Sequence, residues 1–296
     1  MNYADSISRS VAYIELHLNE KIALPDIAAQ ANLSIAHLYR IFPAFTGCTI
    51  GQYVRQRRMT EAARMLRENK RILDIALEYQ FDSQESFTRA FKVMFGITPG
   101  EYRHKPVVIP VYLPAQISLD RKDEVVKQPE IVVKQLNLLG TETGIDLETD
   151  FTEQIAVLTE EIKLKLATVR HLVQPVRTIN MWYPHFEDET ATSEPVTMFF
   201  SGIEISAEIA AALGAASENL IVKAFPESLY AVFEERQRGT VGGPDGYAYR
   251  IWLPSSGYDL NERIPGDMEV YPDTEHTGYD DFCNIWIPVS DSRPVN

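Results

Sequence analysis

The sequence predicts two joined architectures. Residues 1–107 read as an all-α N-terminal domain with two helix-turn-helix units. Residues 130–296 read as an α+β domain on a duplicated strand-helix-strand-strand plan, and 108–129 as the linker. Three observations carry this. A helical pattern recurs in the first region at a nearly constant offset. Prolines and a charged run, Asp120 to Lys127, interrupt the middle. Short apolar runs rich in β-branched and aromatic residues fill the rest, around one long amphipathic helix.

The second helical unit, Arg71 to Arg103, is the sharper one. Ile72, Leu73, Ile75, Ala76 and Leu77 recur at helical spacing, and Gln80, Phe81 and Asp82 break the pattern. Ser83 then suits an N-cap, where a hydroxyl accepts from a free backbone N–H. The helix it opens carries Phe87, Ala90, Phe91, Met94 and Phe95 on its apolar side and ends at Gly96. Gln84, Glu85, Ser86, Thr88, Arg89 and Lys92 are left as candidate DNA contacts. Arg suits guanine and Gln suits adenine in a major groove, and Glu85 can accept from cytosine.

The first unit repeats this plan. Ile27-Ala28 matches Ile75-Ala76 at an offset of 48. Ser34, Leu38, Arg40, Phe42 and Gly47 match Ser83, Phe87, Arg89, Phe91 and Gly96 at 49. Its candidate contacts are Ile35, Ala36, His37, Tyr39 and Arg40. Pro43, which lacks an N–H, and the small Ala36 predict a weaker reader than the second unit. Ser6 to His17 reads as a packing helix. Ile50 to Asn69 reads as one helix rich in arginine, about 30 Å long at 1.5 Å per residue. That length approaches one turn of DNA, about 34 Å, so one chain can place two helices in successive major grooves. A monomer then suffices for double-stranded DNA, with dimerisation left open.

The residues Asp74-Ile75-Ala76, Phe81, Ser83, Phe87, Arg89, Phe91-Lys92, Gly96, Thr98-Pro99 and Tyr102-Arg103 resemble the signature of the AraC/XylS family of transcription activators. Gln80 departs from it, since the family usually has Gly there. If the left-handed turn is kept, a side chain costs on the order of 1 kcal/mol. Pro43 stands where the family commonly has Lys. The resemblance implies a transcription regulator with RNA polymerase as a further partner.

Charge divides as the domains do. Residues 1–107 hold 14 Lys/Arg against 11 Asp/Glu, and the remainder 14 against 31, which accounts for the net −14. Only the first region suits phosphate. Two cysteines, Cys48 and Cys283, make no disulfide framework. No apolar run approaches a membrane span and no signal-peptide pattern opens the sequence, so a cytoplasmic protein is expected.

In the acidic region Ile131 to Leu139, Val176 to Trp182, Val196 to Ile205, Leu220 to Lys223, Tyr230 to Glu235, Asp267 to Tyr271 and Phe282 to Val289 read as strands. Val107 to Leu113 reads as a short strand before them. Asp150 to Arg170 is the amphipathic helix, and Tyr247 to Leu253 reads as helical. A weak repeat matches Val132-Val133-Lys134 to Ile221-Val222-Lys223, and Trp182-Tyr183-Pro184 to Val270-Tyr271-Pro272. Lys223 to Phe233, Trp252 to Tyr258, Gly266 to Pro272 and Ile285 to Val289 resemble the GyrI-like effector-binding domain. That resemblance implies an aromatic pocket with one carboxylate, suited to cationic or amphiphilic aromatic effectors. The matching carboxylate is Glu269, and the implied walls are Trp182, Phe199, Tyr230, Trp252, Tyr258, Tyr271 and Trp286. No cofactor, metal or catalytic residue is expected. The six histidines are scattered, and no nucleophile elbow or phosphate loop is present. Two alternatives stay open for the acidic half: a hydrolase, or a module that binds a protein partner.

Overall fold

The computed structural model describes residues 3–68, 70–105, 107–117, 128–145, 157, 160, 164, 177–185, 196–213, 220–235, 246–271 and 283–291. The chain divides near residue 118 into two compact units. The first contains α1 (Tyr3–Leu16), α2 (Leu24–Ala31), α3 (Ile35–Thr46), α4 (Ile50–Met65), α5 (Ile72–Glu78), α6 (Gln84–Phe95) and α7 (Pro99–His104).

Both helix-turn-helix turns use the same backbone device. Asn32 and Gln80 take φ of 55° and 65°, the left-handed region. Leu33 N–H then reaches back to the Ala28 carbonyl at 3.0 Å, and Phe81 N–H to Ala76 at 2.9 Å. Gln80 therefore keeps the geometry that glycine would adopt without strain. Its side chain offsets part of the strain, because Nε2 donates to the Asn19 carbonyl at 2.8 Å. Ser34 caps α3 through the His37 N–H, and capping boxes open α4 (Thr49 with Gln52), α6 (Ser83 with Ser86) and α7 (Thr98 with Glu101). Helix α3 runs through Pro43 without a break. Phe87, Phe91, Met59, Leu66 and Ile75 fill the core of the second helix-turn-helix, and Ile7, Ile14, Leu38, Ile41 and Phe42 are sealed in the first.

Two expectations for this unit are corrected. The helix expected over Ile50–Asn69 stops at Met65, so its 16 residues span about 24 Å rather than 30 Å. The strand expected at Val107–Leu113 is absent. Residues 107–117 instead run along α4, and side chains satisfy their backbone: Tyr112 N–H donates to Thr60 Oγ1 at 3.2 Å, and Ala115 N–H to the Tyr53 hydroxyl at 3.1 Å. Ile109 is buried in the α4–α6 core. This stretch, expected as the first half of the linker, is a strap on the helical unit.

The second unit is a seven-stranded antiparallel sheet of β1 (Glu130–Ile145), β2 (Thr178–His185), β3 (Val196–Ile205), β4 (Ile221–Glu235), β5 (Tyr258–Leu260), β6 (Asp267–Tyr271) and β7 (Cys283–Asp291). The order is β4-β1-β3-β2-β6-β7-β5, and β4 also pairs with β7, so six strands close on themselves. One face gathers Leu136, Leu138, Met181, Phe200, Tyr230, Met268 and Trp286 from all six into one cluster, and is the inner face. Gly140 and Gly202 lie opposite each other on β1 and β3. A Cβ on either would meet the Phe200 ring and the partner backbone within 3 Å, so the close strand approach needs both glycines. The outer face carries α8 (Ala207–Leu213) over Leu139, Ile203 and Ile205. A π-helical turn, Ala248–Trp252, continues into α9 (Leu253–Ser256), as the helical reading of Tyr247–Leu253 expected.

Leu220–Lys223 and Tyr230–Glu235, expected as two strands, are parts of one 15-residue strand. Pro226 lies in the bulge, where the register moves from Lys134↔Ser228 to Leu136↔Phe225. There its missing N–H breaks no ladder bond. The amphipathic helix expected at Asp150–Arg170 lies mostly outside the described residues. Val157, Glu160 and Leu164 within it are helical.

Candidate functional site

The face of α6 that turns to solvent carries Gln84, Glu85, Arg89 and Lys92, with Thr88 half-buried beside them. Helical periodicity and the buried Phe87, Ala90 and Phe91 dictate that face. At the same offset of 49, α3 presents Ala36, Tyr39, Arg40 and Pro43, all half-buried, with Ile35 half-buried at its start. Two candidate contacts are placed differently. Ser86 spends its hydroxyl in its own cap, accepting from Ser83 N–H at 3.2 Å and donating to the Ser83 carbonyl at 2.8 Å. His37 is 8% exposed and packs edge-on against Tyr3, with ring centroids 5.2 Å apart. These residues are equivalents at the offset of 49, each three places after an N-cap serine. The repeat held that signal: a position occupied by the cap in one unit faces inward in the other.

The arginines of α4 mostly point inward too. Arg57, its side chain 5% exposed, forks onto Glu15 at 2.9 Å through both Nε and Nη2 and reaches Glu61 at 3.1 Å. Arg58 donates to the Leu18 and Glu20 carbonyls, and Arg64 pairs with Glu61. Arg67, just past the helix, lies over the Tyr102 ring and donates to the Lys105 and Val107 carbonyls. Arg57 and Arg58 bind the unit together, while Arg64 and Arg67 keep internal partners but stay exposed.

In the second unit strand register divides the expected ligand residues between two faces. Asn180 pairs with Glu269, Trp182 with Asp267 and with Phe199, and Thr178 with Tyr271. Glu269, Tyr271, Trp182 and Phe199 therefore share the outer face. Trp182 and Phe199 are 4.6 Å apart between centroids, and the Tyr271 hydroxyl donates to Glu269 at 3.1 Å. Trp252 packs on Phe233 of that face and stacks on Tyr258 at 5.9 Å. Trp286 and Tyr230 do not join them. Trp286 opposes Met268 and lies 5.6 Å from Tyr230 inside the ring of strands. Burial pushes the Tyr230 hydroxyl above its ordinary range. The matched repeat tyrosines, Tyr183 and Tyr271, also lie on opposite faces. Side chains alternate along a strand, so a one-residue slip in the repeat is enough.

Sequence reasoning missed the ionic groups of the inner face. Lys134 pairs with Glu204 at 2.6 Å, and its ammonium sits 5.4 Å from the Trp286 ring centroid. Lys223 pairs with Glu142 at 2.8 Å and sits 5.1 Å from the Tyr183 ring. Burial acts to raise the Glu142 carboxyl, but hydrogen bonds from Lys223 and Tyr183 outweigh it and hold the group below the usual range. The Tyr183 hydroxyl, buried and bonded to Glu142, is pushed up. Lys134 and Lys223 are the matched lysines of the weak repeat, which was the available signal. At the Lys134 end a groove of about 390 Å³ opens between Val132, Val232, Val270 and Trp286, with Arg177 and Asn284 beside it. A hollow of about 600 Å³ at the bulge of β4, around Ser228 and Asn261, contains none of the expected ligand residues. Among the described residues no metal-binding group of His, Cys, Asp or Glu occurs, and no helix is long and apolar enough to cross a membrane.

Residues 27–105 match the model of a helix-turn-helix domain, and residues 141–290, about half of the chain, match that of the GyrI-like small molecule binding domain. The chain is 44% identical over 98 residues to the HTH-type transcriptional activator AarP of Providencia stuartii, covering 33% of this chain and 73% of AarP. The chain belongs to the AraC-type helix-turn-helix family, with a GyrI-like small-molecule binding domain. It is also 47% identical over 107 residues to the Right origin-binding protein of Escherichia coli (strain K12), covering 36% of this chain. It thus spans little more than a third (37%) of that relative's length. Among solved structures, a transcriptional regulator of the AraC type from Chromobacterium violaceum is similar over 33% of this chain and 89% of its own, at 28% identity and a TM-score of 0.32.

Proposed function

We propose that this chain is a transcription regulator that reads double-stranded DNA with α3 and α6, and whose second domain answers to a small amphiphilic aromatic effector. The observation that carries the reading is the matched residue set on the two recognition helices, half-buried Ala36-Tyr39-Arg40 and the more exposed Glu85-Thr88-Arg89, at one constant offset. The remaining arginines of the helical unit are turned mainly to internal partners, so these faces are its candidate reading surfaces. AarP, described as a transcriptional activator, supports activation as the outcome; RNA polymerase is the partner such an outcome implies. The effector site is the groove beside Trp286, where apolar walls of Val132, Val232, Val270 and Trp286 meet the polar Lys134, Arg177 and Asn284, a mixture that suits a small amphiphile. Coupling between such sites is typically about 1–3 kcal/mol. The test measures DNA affinity of the full chain by fluorescence anisotropy across a randomised duplex pool, then repeats it with aromatic amphiphiles that raise the melting temperature. If no duplex is preferred over the pool average, the regulator reading fails.

A second effector reading places a cation beside Glu269. Asn180 Oδ1, opposite Glu269 in the ladder, is buried with no donor among the described residues, and Trp182 and Phe199 flank it. A ligand ammonium can serve both oxygens and gain from the rings. Glu269→Gln should then weaken cation binding about tenfold and leave ligand-free DNA affinity unchanged. Equal binding of cations by both proteins removes Glu269 from that role.

A further inference from the structure

We infer that the groove beside Trp286 selects an anionic effector, a small flat carboxylic acid whose charge is received by Lys134 and Arg177. The inference rests on the reading of that groove as the effector site and adds the charge of the ligand.

The two ends of the inner face, related by the repeat, differ in charge balance. At one end Lys223 meets Glu142 at 2.8 Å, and the Tyr183 hydroxyl donates to the same carboxylate. One cation faces one anion there. At the other end Lys134 and Arg177 share Glu204, at 2.6 Å and 3.9 Å. Two cations there share one carboxylate, and the Arg177 side chain, 41% exposed, is the looser of the two. The other acid at the groove, Glu130, is exposed at the start of β1, where water screens it.

The uncharged groups agree. Trp286 is 7% exposed and its indole Nε1 has no acceptor among the described residues, although an indole N–H can only donate. Asn284, half-buried in the same wall, adds an amide. A buried donor without an acceptor is costly, and a ligand that brings acceptor oxygens relieves the cost. A cation meets the reverse situation. The place over the Trp286 ring is taken by the chain's own ammonium, 5.4 Å from the centroid. Entry there would drive Lys134 off both the ring and Glu204, and set a further cation beside Lys134 and Arg177. The apolar body of an acid has Val132, Val232, Val270 and the Trp286 ring to lie against. The volume, about 390 Å³, admits a fused two-ring system.

Three probes of one shape test this on the full chain by calorimetry: 2-naphthoate, 2-naphthalenemethanol and 2-naphthylmethylammonium. Naphthoate should bind about tenfold tighter than the alcohol, and the ammonium more weakly than either. Arg177→Gln should remove most of the naphthoate advantage and leave alcohol binding within about twofold. Glu204→Gln, which frees Lys134, should tighten naphthoate further. Ammonium binding as tight as naphthoate, no effect of Arg177→Gln, or no binding by any probe overturns the inference. Val132→Trp, which fills the groove from a half-buried position, separates the two failures. If the alcohol is lost in that variant but the acid was never preferred, only the charge assignment falls. If every probe still binds, the groove is not the effector site.

Discussion

Arg57→Met cuts the node that holds the helical unit to its strap. Arg57 is the centre of four contacts: two to Glu15 at 2.9 Å, one to Glu61 at 3.1 Å, and one to the Tyr112 carbonyl. Glu15 also accepts from the Tyr53 hydroxyl at 2.7 Å, and that hydroxyl in turn accepts from Ala115 N–H. Methionine fills a similar volume but leaves Glu15 without its cation, while Glu61 keeps Arg64 at 3.0 Å. Breaking a fully buried pair costs about 3–5 kcal/mol. The Glu15 and Glu61 side chains are 19% and 25% exposed, so water recovers part of the loss, and the expected cost is about 2–4 kcal/mol. Urea denaturation of the full chain, followed at 222 nm, reads the shift in the helical transition. Adding Glu15→Gln should restore about 1–2 kcal/mol, because one orphaned charge is gone. Hydrogen exchange gives an independent reading: the Tyr112 and Ala115 amides should lose protection well before those of α6. A loss under about 1 kcal/mol with both amides still protected would refute the account of Arg57 as the node.

Three further outcomes are expected. Gln80→Gly removes the left-handed strain but also the 2.8 Å bond to Asn19 and adds chain freedom to the unfolded state, so stability should stay within about 1 kcal/mol of wild type. A gain well beyond that means the amide contributes nothing. Hydrogen bonds from Thr98 and Lys105 hold the Glu101 carboxyl down at about 2. The stability it contributes is complete above the ordinary glutamate value and is lost as pH falls toward 2. The gap in melting temperature between wild type and Glu101→Gln should therefore be constant at neutral pH and close below about pH 4. Arg89→Ala should weaken binding to a selected duplex by about 1–3 kcal/mol, while His37→Asn leaves the base preference of α3 unchanged, as scored by the same pool selection.

What was legible in the sequence was whatever a short window encodes. The 3.6-residue spacing of Ile72, Ile75 and Ala76, the cap at Ser83 and the left-handed position at Gln80 are local, and the structure has them where expected. Charge asymmetry and the 49-residue repeat likewise follow from counting. What was hidden depends on partners far away in the chain. Nothing near Arg57 announces Glu15, 42 residues earlier, so α4 read only as a helix rich in arginine. Whether Trp286 shares a face with Glu269 depends on the β6–β7 register, and a slip of one residue reverses the answer. Leu220–Lys223 and Tyr230–Glu235 read as two strands because a bulge cannot be seen without the opposite strand.

The inward arginines bear on how DNA binding should respond to salt. Counterion release scales with the phosphates that a protein neutralises, and log K falls with log salt at a slope of about −0.9 per contact. Arg57, Arg58, Arg67 and Arg103 all donate to carbonyls of their own chain. These four are spent on their own chain, so the slope should fall short of what the region's 14 Lys/Arg would give. Such a reader gives up affinity for arbitrary DNA and loses less of its grip when ionic strength rises. Its discrimination then rests on base edges more than on the charge of the duplex.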